Sequence, residues 1–340
     1  MDCRAWLGLI VLAACGMESS PPPATPDGSP TTDGSGARET FQRCTGRPYT
    51  PAPLEDWRHS IATPIITAAG APNHSGTDAI VHPHDAGTIA GKFTYGAISK
   101  DLEDEDVLVF LDDCTGWQAL GRHATSSDGR ISLAAPPLPT GVYQIEMQVA
   151  GDQSTTTGFL WALPAGTHLV VTDIDATLTT NDSQVFRQIL DGSVVPDTYP
   201  NAVELTTTHA ERGHVVFYLT GRPYWLSEKT RGYLDGLGFA PGPLRVADSN
   251  TDILPTEASV GTYKKANLDA LAAAGMIVDF AYGNATTDIY AYLGATIAAD
   301  RVWIIGSHGG EQGTNAIAND WGPRVTDVAA LPSVVQPFDW

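Results

Sequence analysis

The sequence predicts two folded parts in tandem: an all-β sandwich, then an α/β domain built on a doubly wound parallel sheet. Two observations carry this. Between about residues 63 and 164, apolar residues recur with period two, as in Tyr143, Ile145, Met147 and Val149 alternating with Gln144, Glu146 and Gln148. Beyond residue 164, strand-length apolar runs alternate with helical runs, the pattern of a parallel sheet with helices on both faces. The expected parts are residues 55–164 and 165–340, and no internal repeat is visible.

At the amino end, Arg4 and an apolar run over residues 5–14 lead into Leu12-Ala13-Ala14-Cys15. This is similar to a bacterial lipoprotein signal, too short to span a bilayer. It implies removal of residues 1–14 and acylation of Cys15. The product would be exported and lipid-anchored to the bacterial cell envelope, on a periplasmic or surface face. Residues 15–54 then read as a lipidated cysteine and a linker, because Ser, Pro, Thr, Gly and Asp dominate residues 18–37 and cannot bury a core. Cys44 and Cys114 remain as a plausible disulfide, with two buried thiols as the alternative. Closing a loop of about 70 residues contributes roughly 4 kcal/mol on the chain-entropy model.

The chain carries 19 Lys+Arg against 39 Asp+Glu, a net charge of −20. That argues against nucleic acid as a partner, since such binding rests on phosphate neutralisation. It also disfavours non-specific adsorption to anionic membranes.

Within the sandwich, short runs at 88–95, 107–111, 130–134 and 156–163 are divided by Gly, Pro and Asp clusters, which suggests an immunoglobulin-like arrangement. The acidic run 101–106 reads as a solvated turn, with a calcium site as the alternative. His82-Pro83-His84-Asp85, with His74 nearby, reads as loop histidines before it reads as a metal site. In the α/β part, helices are expected over 199–212, 225–237, 264–274 and 286–293. Strands should end near Asp173, Thr220, Val246, Tyr282 and Ile305, and Gly213, Gly238, Gly275 and Gly294 sit where helix C-caps belong.

Four segments of the α/β part carry chemistry. The first apolar strand delivers Asp173-Ile174-Asp175-Ala176-Thr177, two carboxylates aimed past one strand end and followed by a hydroxyl. A second strand ends in Thr220-Gly221-Arg222-Pro223, and Tyr263-Lys264-Lys265 opens a helix. A third strand ends in Tyr282-Gly283-Asn284, with Asp288 four residues after the amide. Open α/β sheets bind ligands at this edge, and two acids there suit phosphoryl transfer. The segments between Asp173, Thr220 and Lys264 are short, which leaves no room for a cap domain.

This ordered set resembles the haloacid dehalogenase (HAD) phosphatases, and within them the lipin and Nir C-terminal domain, over about residues 165–310. Ala176 departs from it, standing where that family usually has glycine; a single methyl should be tolerated. The resemblance implies a HAD-like fold and a Mg²⁺-dependent phosphomonoesterase working through an aspartyl-phosphate. Asp173 would attack phosphorus and Asp175 would move the proton. Thr220 and a lysine would meet the phosphoryl oxygens, with Thr177, Gly221 and Arg222 around the substrate. Asp173, the Asp175 carbonyl, Asn284 and Asp288 would hold Mg²⁺. The lysine is Lys264 or Lys265; Lys264 is preferred because Leu268 and Leu271 follow at the lipin spacing, whereas Lys265-Ala266-Asn267 matches Nir domains. Phosphatidate is the leading substrate. The alternatives are a phosphatase for soluble phosphomonoesters, a non-catalytic phosphatidate-binding module and a structural lipoprotein. Because Nir-type modules bind without hydrolysis and look altered at the acidic pair, the intact Asp173 and Asp175 favour an enzyme.

Overall fold

Alternating β-branched and aromatic residues pleat into strands with one buried face, and the first half of the chain does so twice over. The computed structural model describes residues 38–68, 70–96, 99–180, 196–248 and 256–340. Cys15 and the expected signal lie outside them. One sheet runs in the order Ala79–Val81, Thr155–Ala162, Gly141–Val149, Asp106–Asp112 and Trp117–Ala124. A second, of Ser75–Gly76, Thr88–Lys92 and Arg130–Ala134, faces it. Ile89 and Ile131 of the small sheet share a buried cluster with Val107, Val109, Ile145 and Met147 of the large one.

Two features differ from the expectation. Gln42–Cys44 pairs in parallel with Gly141–Val149, so part of the supposed linker is sandwich. Its Cys44 is joined to Cys114 in a disulfide. The acidic run is also more than a solvated turn. Glu105 is buried and accepts the backbone N–H groups of Arg58 and His59, each at 2.9 Å, and the Thr63 hydroxyl. Those amides have no strand partner and need an acceptor.

His74 is a core histidine. Its Nδ1 accepts the Thr94 N–H at 3.2 Å, which leaves Nε2 to donate to Ser154 Oγ at 2.8 Å. Burial pushes its pKa down to about 4. The unfolded chain takes up this proton near the ordinary value of about 6.5, while the folded chain resists until about 4. Stability should therefore be intact above pH 6.5 and fall by on the order of 3 kcal/mol between there and pH 4. Urea midpoints at pH 7 and 4.5 test this: His74→Gln should flatten the difference, and an unchanged slope in that variant would disprove it.

The second half forms six parallel strands: β1 (His168–Thr172), β2 (Val215–Pro223), β3 (Leu244–Ala247), β4 (Ile277–Gly283), β5 (Val302–Ile305) and β6 (Asn315–Ile317). Their order is β3-β2-β1-β4-β5-β6. The winding therefore reverses between β1 and β4, and a crevice opens beyond their carboxyl ends. Among the described residues, five helices flank the sheet: α1 (Ala202–Glu211), α2 (Ser227–Leu237), α3 (Thr262–Ala273), α4 (Thr286–Gly294) and α5 (Gly322–Ala330). Gly213, Gly238 and Gly275 take the left-handed conformation past their helices, but Gly294 is the last residue of α4 and Thr296 takes that role. β6, three residues long, and α5, with Pro323 in its first turn, are not anticipated from the sequence, although a Pro there is a helix-start signal.

The two halves share a core. Phe41 and Trp161 pack in one cluster with Leu169, Phe217 and Phe338. Asp78 is almost fully buried at the seam; it accepts the Phe159 N–H (3.0 Å), the Leu244 N–H (2.8 Å) and Arg231 Nη2 (2.8 Å).

Candidate functional site

β1 ends at Thr172, and the Asp173 N–H donates to the Tyr282 carbonyl at 2.9 Å, extending the β1–β4 ladder by one bond. Asp173 thus sits at the switch point. α3 brings Lys264 across the crevice, where its Nζ lies 2.6 Å from Asp173 Oδ1 and 2.6 Å from Asp288 Oδ1. All three side chains are buried. Asp288, near the start of α4, turns its other oxygen back onto the Asn284 and Ala285 N–H groups at 3.0 and 3.1 Å, satisfying donors that a helix start leaves open. Gly283 is required for this, because a Cβ there would meet the Asp288 Cβ at 2.6 Å.

The Thr177 hydroxyl lies 3.1 Å from Asp173 Oδ2 and 3.2 Å from Asn284 Oδ1, so both oxygens converge on it. Asp175 leaves in the other direction. Arg222 grips it with a two-pronged fork, Nε and Nη2 at 2.8–3.1 Å, and Thr220 Oγ1 donates to it at 3.2 Å. Arg222 is itself held by Thr230, with Nη1 at 3.0 Å from the hydroxyl. Gly221 lies between the two residues that grip Asp175.

Electrostatics follow from burial. Desolvation pushes the Asp173 carboxyl up, Asp288 and Asp175 add to the rise, and Lys264 opposes it. Desolvation alone would lower Lys264, but Asp173 and Asp288 outweigh it and hold the ammonium above the usual lysine range. The choice between the lysines is geometric: Lys265 points away and pairs with exposed Asp269 at 2.6 Å. Among the described residues, no group of three or more His, Cys, Asp or Glu side chains has the geometry to hold a metal.

Sequence reasoning missed Trp321 and Arg324 among the residues that brace this site from beneath. Trp321 Nε1 donates to the Thr177 carbonyl at 2.9 Å. Tyr292 OH donates to the Tyr282 carbonyl at 2.7 Å, and Arg324 Nε reaches Tyr282 OH at 3.1 Å. Trp321 and Arg324 lie at and within the start of α5, so no strand-end motif announced them. Ala176 is also not the neutral departure expected: its φ is +51°, the left-handed region. An L-residue is strained there by about 1 kcal/mol or more. Ala176→Gly should stabilise the fold by roughly 0.5–1 kcal/mol after the entropy of glycine is offset. A drop in urea midpoint would show the strain is absent.

Two family models match in tandem. Residues 72–162 match the PITM 1-3 beta-sandwich domain, and residues 170–306 match the PITM 1-3 LNS2 domain. Among the relatives, Protein retinal degeneration B of Drosophila melanogaster is 29% identical over 276 residues, covering 78% of this chain and 20% of that protein. Human membrane-associated phosphatidylinositol transfer protein 3 is 29% identical over 206 residues, covering 58% and 20%. Human membrane-associated phosphatidylinositol transfer protein 2 is 27% identical over 267 residues, covering 76% and 19%. The chain spans about a fifth of the length of these relatives.

These findings correct three expectations. The family models that match are those of PITM 1-3 rather than of a lipin- or Nir-type HAD phosphatase, and the reading as a phosphoric monoester hydrolase falls, since relatives are named as phosphatidylinositol transfer proteins. Intact carboxylates were a poor guide because the same acids can serve structure, as the Asp175 fork shows. The exported, lipid-anchored bacterial placement falls too, since the relatives are animal proteins named as membrane-associated. An apolar run ending in Ala-Ala-Cys is a weak compositional signal. The absence of a cap was read partly from residues 181–195, which lie outside the described residues.

Proposed function

We propose that this chain binds the phosphomonoester headgroup of phosphatidate, or of a related lipid phosphate, without hydrolysing it. On this reading the α/β half is a HAD-like scaffold kept for recognition. The observation that carries the proposal is the Asp175 fork. Both oxygens of the carboxylate that a hydrolase would use for proton transfer are taken by Arg222 and Thr220. The residue holds the carboxyl end of β2 in place. The match to domains of phosphatidylinositol transfer proteins supports a lipid ligand over a soluble ester.

Charge then argues for a divalent cation. Asp173, Asp175 and Asp288 against Lys264 and Arg222 give a formal −1, which repels a phosphate dianion. Mg²⁺ reverses that sign, and a hard ion with few carboxylates suits the donors present. Asp173 Oδ2 and Asn284 Oδ1, which converge on Thr177, would hold it together with the Asp175 carbonyl. Its role is to bring the phosphate oxygens to a site that is otherwise acidic.

The test is sedimentation with phosphatidylcholine vesicles containing phosphatidate or phosphatidylserine, with Mg²⁺ or excess chelator. Binding to phosphatidate vesicles should exceed the others by at least about tenfold, equivalent to 1.4 kcal/mol, and vanish in chelator, with no phosphate released. Phosphate release would overturn the non-catalytic reading. Equal binding to phosphatidylserine vesicles would overturn headgroup recognition, and effective competition by glycerol phosphate would return the ligand to soluble esters.

A further inference from the structure

The register of β2 against β3 slips where Thr220 and Arg222 lie. Leu219 pairs with Arg245 and Pro223 with Ala247, so Thr220, Gly221 and Arg222 stand against Val246 alone. Such a bulge leaves its residues outside the ladder and re-aims their side chains. Here it turns Thr220 and Arg222 onto Asp175. The backbone gives the bulge little support. Its Arg222 N–H donates to Thr220 Oγ1 at 3.2 Å, and Pro223, where pairing resumes, has no N–H to donate.

Support comes from the sandwich. Tyr224, the next residue, is buried, and the Lys92 ammonium lies 5.4 Å from its ring centroid. Lys92 ends the strand Thr88–Lys92 and is itself buried; Asp101 Oδ1 at 2.7 Å and the Asp128 carbonyl hold its ammonium in place. A cation shielded from water is attracted to an aromatic face more strongly than an exposed one. Further along, Ser227 Oγ donates to Ser75 Oγ at 2.9 Å, and the Thr157 N–H donates to Glu228 Oε1 at 3.2 Å. Ser227 and Glu228 open α2, whose Thr230 takes Arg222 Nη1. The sandwich thus grips the chain on the side of the bulge where the ladder is weakest.

We propose that the sandwich is a working part of the headgroup site, with Lys92 as a positioning residue that sets the bulge of Thr220, Gly221 and Arg222 through Tyr224; this rests on the headgroup reading for its ligand. Lys264, Thr220 and Arg222 all come from the α/β half, yet the angle at which two of them point is fixed from outside it.

Two measurements on the whole chain test this. Amide hydrogen exchange, which needs no ligand, should quicken by at least about tenfold over residues 221–226 in Lys92→Met. It should stay near wild type in Lys92→Arg, which keeps a cation over the ring. Sedimentation with phosphatidate vesicles in Mg²⁺ should show Lys92→Met binding about tenfold more weakly and Lys92→Arg binding like wild type. Tyr224→Leu should weaken binding as much, and the double variant with Lys92→Met no further, since both act through one contact. Ile145→Val, within the sandwich core, should lower the urea midpoint and leave binding unchanged. Unchanged exchange in Lys92→Met would overturn the positioning role whatever the lipid result. Faster exchange with wild-type binding would overturn it as well and leave headgroup recognition standing, and equal loss of binding in Ile145→Val would reduce Lys92 to general stability. A wild-type chain that does not bind phosphatidate would sink the headgroup reading instead, with exchange alone deciding whether Lys92 sets the bulge.

Discussion

Lys264→Met lowers the unfolding free energy by about 3–5 kcal/mol, the cost of stranding buried charge when one partner of an internal ion pair is removed. Two carboxylates would be left facing each other across the space its ammonium occupies, at 2.6 Å from each. Neither can turn to water, since both are buried. Adding Asp288→Asn removes one of the stranded charges, so the double variant should recover part of the loss. Lys265→Met is the internal control. Its partner Asp269 is exposed, and a solvated pair contributes no more than about 1 kcal/mol. Urea midpoints for the four proteins decide the matter. Equal losses at Lys264 and Lys265 would mean the buried cluster is not an electrostatic unit, and phosphatidate binding by Lys264→Met would remove it from the headgroup site.

Asp78→Ala should be comparably severe, at roughly 3 kcal/mol or more, because it removes the Arg231 partner and leaves one buried and one half-buried N–H group without an acceptor. Its effect should also have a distinct form. Asp78 lies in the sandwich sequence, whereas Leu244 and Arg231 belong to the α/β half, so the residue ties the two together. Scanning calorimetry of the intact chain should show one transition, and the variant should melt in two. Asp78→Asn, which keeps one acceptor oxygen, should fall between. A single unchanged transition in Asp78→Ala would show that the shared apolar core, with Phe41 and Trp161, couples the halves unaided.

The same geometry assigns the basic residue on the helix after the second motif. Arg231 falls close to Arg222 in sequence and invites a place on the rim of a phosphate site. In the fold it points into the seam, over the Phe159 ring at 4.5 Å and onto Asp78. Helical spacing does not say whether a cation faces ligand or a neighbouring domain.

What the sequence by itself determined is periodic or adjacent along the chain. Period-two alternation in residues 143–149 and the apolar runs ending at Thr172, Thr220 and Tyr282 are local properties, and they place the sandwich, the parallel sheet and the strand ends. Strand ends, in turn, locate Asp173, Thr220 and Asn284 at one edge, because every strand of a parallel sheet points the same way. Only the tertiary structure decided what those side chains hold. That Lys264 rather than Lys265 reaches Asp173 depends on the rotation of α3 against β1. That Asp175 is closed in a fork with Arg222, 47 residues away, depends on how the two strand-end turns meet. That Ala176 is left-handed depends on the turn Trp321 fastens from 144 residues further on. Motif order records which groups gather at an edge. Whether they are spent on one another or left for a ligand is set by packing between segments distant in sequence, and the chain's local pattern carries no trace of it.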